Sequence, residues 1–154
     1  MAEPQVTFVD TNVLAYAYDR SETGRQPIAQ TQLGTLWRNR TGALSTQVLQ
    51  EFYVVATRKL AVPMQRTTAR RIVTLYAAWP VVHVDVPLVL AASELEERHT
   101  LSFWDALIVE SARRSGEGVL DADAADHPSM LEVLGQQSRR SGAPGRLDDE
   151  GVPE

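Results

Sequence analysis

No cysteine occurs in the 154-residue sequence, which excludes disulfides and thiolate metal sites and suits a reducing compartment. Lysine is nearly absent: Lys59 stands alone, and the other strongly basic residues are all arginine. Arginine suits bidentate phosphate contacts, although a GC-rich genome produces the same bias. No run approaches the roughly 18 apolar residues that cross a bilayer. The opening Met1-Ala2-Glu3-Pro4-Gln5 also lacks the basic-then-apolar pattern of a secretory signal. A cytoplasmic protein with no membrane association is expected. Positive charge is not in excess either. The formal net charge is −5, which argues against gripping nucleic acid by bulk charge but leaves room for a local acidic pocket.

What is present is a normal globular share of apolar residues, 44%, enough for one substantial core. Val6-Thr7-Phe8-Val9, stopping at Asp10, reads as a buried strand, with a polar turn before a helix carrying Val13, Leu14, Ala15 and Tyr16. A second helical pattern runs through Ile28, Leu33, Leu36 and Trp37, and Thr41-Gly42 breaks it. Ala43-Leu44 is a short strand, and Ser45 or Thr46 can cap a helix from about Gln47 to Leu60 with Val48, Phe52, Val55 and Ala56 inward. Further helices are expected around Ile72, Val73, Leu75 and Tyr76, after Pro87, and after Ser102. Strands are expected at Val81–Val84 and at Gly118-Val119-Leu120. Strands alternating with helices in this way predict an α/β domain with a parallel sheet, over residues 1–135. From Gln136 onward, Gly, Ser, Arg, Pro and Asp dominate, and residues 136–154 are expected to form a flexible tail. The tryptophans Trp37, Trp79 and Trp104 are expected in the core or an interface.

Four acidic positions stand out. Asp10 follows the first strand, where ligands bind in open parallel sheets. There it can hold a cation, with Asn12 orienting it, or simply make an Asx-type turn. Glu51 falls on the apolar face of its helix, where an acid is costly unless paired or bound to metal. Its alternative role is to complement the positive end of that helix. Asp105 stands three residues after Ser102, the spacing of a capping box, which does not use both carboxylate oxygens. Asp123, in Asp121-Ala122-Asp123-Ala124-Ala125-Asp126, follows the last strand and is either a ligand or part of a solvated acidic loop. Gathered at one sheet edge, such acids repel one another unless a cation neutralises them. An all-oxygen donor set suits Mg²⁺ or Mn²⁺. His83, His99 and His127 lack ligand spacing, so zinc is not expected.

Three segments carry a resemblance: Phe8-Val9-Asp10-Thr11-Asn12-Val13-Leu14, Leu44-Ser45-Thr46-Gln47-Val48-Leu49-Gln50-Glu51-Phe52, and Leu101-Ser102-Phe103-Trp104-Asp105-Ala106-Leu107-Ile108. In this order and spacing they resemble the PIN domain, in particular the VapC-type toxins of bacterial toxin–antitoxin pairs. The resemblance implies a three-layer α/β/α sandwich with a mostly parallel sheet. It also implies Mg²⁺- or Mn²⁺-dependent endoribonuclease activity, a homodimer, and inhibition by a small antitoxin. By position, Asp10, Glu51 and Asp105 match the family's first three acids, and Asp123 is the best match for the fourth. Asn12 and Thr46 match polar positions near the site, with Ser45 beside them, and the resemblance implies that the three bind or orient substrate. After the last strand the sequence departs from the family, with Ala122 where an acid is usual. Met130-Leu131-Glu132-Val133-Leu134 reads as a short helix rather than a final strand. A catalytically impaired PIN-like module that binds an antitoxin or RNA is therefore the alternative. A phosphatase of the haloacid dehalogenase type would place a second aspartate where Asn12 stands, and is disfavoured.

Overall fold

β1 (Thr7–Val9) is a three-residue strand whose Phe8 and Val9 are fully buried. The computed structural model describes residues 6–115 and 119–120. The turn expected after β1 is absent: α1 (Thr11–Tyr18) starts at once, because Asp10 keeps an extended backbone and caps it. α2 (Arg25–Asn39) follows, then β2 (Gly42–Ser45), buried along its whole length. α3 (Thr46–Val54) runs directly into a π-helical turn over Val55–Lys59. The remaining elements are α4 (Arg66–Tyr76), β3 (Val81–Val82), α5 (Val86–Arg98), α6 (Phe103–Ser115) and β4 (Val119–Leu120).

The four strands are all parallel, in the order β3-β2-β1-β4. Right-handed crossovers then place α1 to α4 on one face, because β1, β2 and β3 step in one direction. The return from β3 to β4 places α5 and α6 on the other. The packing agrees: α1 lies on α2 and α3, while α5 lies on α6, which covers β1, β2 and β3. The fold is thus the expected α/β sandwich on a parallel sheet. The chain leaves β1 toward β2 and later arrives at β4 on the opposite side. The carboxyl ends of β1 and β4 therefore flank the crevice where such sheets take ligands.

Several local expectations are corrected. Val81–Val84 shortens to Val81–Val82, since the Val84 N–H donates to Thr46 Oγ1 at 3.2 Å instead of to a strand. Leu75, read as inward, is 51% exposed, and Ala69, Ile72 and Tyr76 make the buried face of α4. The break read at Thr41-Gly42 begins one residue earlier, at Arg40, and Gly42 already belongs to β2. Arg40 ends α2 with φ 55, in the left-handed region, which costs a non-glycine residue something on the order of 1 kcal/mol.

Gly42 serves packing instead. A Cβ there would sit 2.5 Å from the Trp79 ring. Trp79 is locked in an aromatic cluster, with centroids 5.0 Å from both Trp37 and Tyr76. Neither side can yield cheaply. Gly42→Ala is expected to lower unfolding stability by about 1–3 kcal/mol, as for an overpacked core. Urea denaturation checks this, and an unchanged midpoint would contradict the close approach.

Candidate active site

Asp10 stands where β1 ends and α1 begins, so backbone geometry fixes its carboxylate at the carboxyl edge of the sheet. Its Oδ1 accepts the Thr11 N–H at 2.6 Å. Thr11 is buried, and its hydroxyl turns the other way, donating to Glu51 Oε2 at 2.7 Å. One residue therefore ties together two acids that are 41 positions apart in the chain.

Glu51 reaches this point because α3 is seated deeply. Ser45, fully buried, accepts the Val48 N–H at 3.3 Å and caps the helix, while Val48 and Phe52 pack in the core. One turn before Glu51, Gln47 donates its Nε2 to Glu51 Oε1 at 2.9 Å. Both Glu51 oxygens are thus engaged by neutral donors, which offsets the cost of placing an acid against apolar neighbours. Satisfying Glu51 leaves a debt next door, because Gln47 Oε1 is buried with no partner among the described residues.

Asp105 comes from the other face of the sheet, in the first turn of α6. Ser102 Oγ accepts its backbone N–H at 3.1 Å. This is the first half of the expected capping box. The carboxylate itself borders a cleft of about 560 Å³ together with Asp10, Glu51 and Asn12. Thr11, Gln47, Gln50, Lys59, Trp104 and Ile108 also line it. The N-termini of α1 and α6 both open here, adding partial positive charge beneath the acids.

The structure thus gathers Asp10, Asn12, Glu51 and Asp105 but leaves two sequence candidates outside. Ser45 is a buried helix cap, and Thr46 uses its hydroxyl to anchor Val84. Asp123 lies outside the described residues, as do the Met130–Leu134 segment and the 136–154 tail. None of Arg38, Arg40, Arg70, Arg71, Arg113 or Arg114 lines the cleft, whose one cationic lining residue among those described is Lys59.

Among the described residues no three acids stand close enough to hold a metal ion between them. They ring the cleft instead of closing on one point. Their chemistry nevertheless fits a hard divalent cation: the donors are carboxylate and amide oxygens, while His83 and His99 lie elsewhere. The orphaned Gln47 oxygen beside Glu51 adds an unused acceptor at the same wall.

The PIN domain family model matches residues 7–126. The chain belongs to the PIN domain family. Its fold is similar to that of VapC20 of Mycobacterium tuberculosis, described as a Sarcin-Ricin loop cleaving toxin. That likeness has a TM-score of 0.56 at 23% identity, covering 79% of this chain and 94% of the toxin. No curated protein matches the sequence.

Within this PIN domain, Thr11 and Gln47 were the residues that sequence reasoning missed. Gln47 carried a usable signal, since it precedes Glu51 by four positions on one helix face. Thr11 carried none beyond its place between Asp10 and Asn12.

Asp10 has two roles, helix cap and cleft acid, which substitution can separate. Asparagine caps as well as aspartate, whereas alanine does not. Asp10→Ala is expected to cost about 1 kcal/mol of stability, and Asp10→Asn no more than a few tenths. Thermal melts check this, and equal losses for both variants would contradict the capping role.

Proposed function

We propose that this PIN domain is a Mg²⁺- or Mn²⁺-dependent endoribonuclease acting as the toxin of a toxin–antitoxin pair. The observation that carries the reading is the meeting of Asp10, Glu51 and Asp105 on one cleft at the carboxyl edge of a parallel sheet. Family membership and the VapC20-like fold support it.

In this reading Asp10, Glu51 and Asp105 hold the cation, with Asp123 as the fourth acid following β4. The bound cation supplies Lewis-acid charge at the scissile phosphate and makes water a better nucleophile at neutral pH. The chain's own residues do the positioning. Thr11 and Gln47 hold both oxygens of Glu51, so its carboxylate cannot rotate away when the cleft is filled. Asn12, in the first turn of α1, presents an amide to a phosphate oxygen or to the carboxylates around it. The partial positive ends of α1 and α6 favour the developing negative charge.

The proposed partners are RNA, a small antitoxin protein and a second copy of the chain. On α5, Val86 and Leu90 are 71% and 60% exposed, apolar surface that a dimer would cover. No helix among the described residues is long and apolar enough to cross a membrane, and a cytoplasmic site of action fits an RNA target. The second reading, a PIN-like module that binds without cutting, is favoured by Ala122 in the segment that should supply the fourth acid.

One experiment decides between the two readings. Purified protein is expected to cut single-stranded RNA with Mg²⁺ or Mn²⁺ and to stop in excess chelator. Asp10→Asn and Asp105→Asn should each lower the rate by at least about 100-fold, since loss of an electrostatic group at a reacting centre costs roughly that much. Circular dichroism of both variants should match wild type. Cleavage that survives the chelator or both substitutions would overturn the assignment. A folded wild type that binds RNA without cutting it would establish the second reading.

A further inference from the structure

Trp104, expected in the core or an interface, is not in the core: it is 62% exposed and stands on the lip of the cleft, next to Asp105. The other two tryptophans behave as expected: Trp79 is buried, Trp37 is partly buried, and both stack with Tyr76. Among the described residues Trp104 meets one aromatic neighbour, Phe103, whose ring lies at 67° to it with centroids 5.6 Å apart. That edge contact steadies the indole without covering its faces.

The π-helical turn brings a cation to the same cleft. Lys59 is eight residues beyond Glu51, and in a continuous α-helix it would point about 80° around the axis from it. The wider turn over Val55–Lys59 slows that rotation and returns Lys59 to the face that carries Glu51. The sole lysine of the chain is thereby, among the described residues, the sole cationic residue lining a cleft with three acids.

We infer that Trp104 and Lys59 form the substrate grip of this cleft, Trp104 stacking on an unpaired nucleobase and Lys59 pairing with a nearby phosphate. The inference rests on the reading of the cleft as an RNA-cutting site. A chain of net charge −5 cannot hold RNA by bulk attraction. Stacking on an aromatic face supplies affinity that needs no surplus of positive charge, and it requires a base free of its duplex. The grip therefore selects single-stranded or looped RNA over paired RNA. Trp104 is a binding residue, adjacent in sequence to the acid it serves, so it sets where along the strand the cut falls.

The test uses a ten-nucleotide single-stranded RNA of mixed sequence and the same RNA annealed to its complement. With wild type, Trp104→Ala is expected to raise KM by about 5- to 100-fold, the range expected for one stacked base, with kcat within about three-fold. Trp104→Phe should restore most of the loss. With the cleavage-deficient Asp10→Asn protein in Mg²⁺, the single strand should quench tryptophan emission and the duplex should not. Adding Trp104→Ala to that protein should remove the quenching, since Trp37 and Trp79 stack within the fold. Lys59→Ala should weaken binding and lower the slope of log affinity against log salt by about 0.7, one single-strand phosphate contact.

An unchanged KM for Trp104→Ala, or quenching that persists without Trp104, overturns the inference. So does a Trp104→Ala variant that loses dimerisation but keeps its KM, because Trp104 would then serve a protein contact. If wild type cuts no RNA but Trp104 is still quenched by the single strand, the nuclease reading fails and the grip stands. If wild type cuts and Trp104→Ala behaves like it, the grip fails alone.

Discussion

Thr11 lies between two carboxylates and gives a hydrogen to each, its N–H to Asp10 and its O–H to Glu51. Acids drawn from distant parts of a chain repel, and the repulsion grows as water is excluded. A neutral donor between them is the cheapest way to hold both in place. Thr11 suits the task because it is the first residue of α1, where its backbone N–H has no helical partner and is free to donate outward. Its burial, at 6% exposure, keeps those two bonds from competing with solvent. Gln47 completes the arrangement from α3, and its leftover buried oxygen shows that satisfying Glu51 takes precedence.

The sheet decides where this bracket forms. With β1 central and its neighbours β2 and β4 reached by crossovers on opposite faces, α1 and α6 both begin at the same edge. Asp10 and Asp105 occupy the junction and the first turn of those helices, so the topology brings acids 95 positions apart to one cleft. Glu51 arrives through α3, whose apolar residues Val48 and Phe52 lock its register against the core. The cluster of Trp37, Tyr76 and Trp79 sits behind β2 at Gly42, and the missing Cβ lets that strand seat beside β1.

Much of this was legible before the fold was seen. The alternation of short strands and helices gave the α/β class. Asp10, Glu51 and Asp105 were readable from strand ends, from an acid on an apolar helix face, and from resemblance to the PIN domain. What was hidden depends on contacts across the chain. No local pattern links Thr11 to Glu51, and propensity does not distinguish the π-helical turn that redirects Lys59 from one more turn of α-helix. Thr46 matches a polar position near the family's site and Ser45 sits beside it, yet neither lines the cleft: Ser45 caps α3, and Thr46 accepts the Val84 N–H just beyond β3. For Trp104, apolarity left core and interface both open, and only the fold puts it at the cleft, exposed, while Ala106 and Leu107 behind it are buried.

In the proposed function the ring of acids braced by Thr11 receives a hard divalent cation. Anomalous diffraction from crystals grown with Mn²⁺ tests this without reference to substrate, partner or rate. A single strong manganese peak is expected in the cleft, within about 2.0–2.4 Å of oxygens from at least two of Asp10, Glu51 and Asp105. Glu51 is expected to keep its bonds to Thr11 and Gln47. Crystals with manganese bound elsewhere and none in the cleft at millimolar concentration would contradict it.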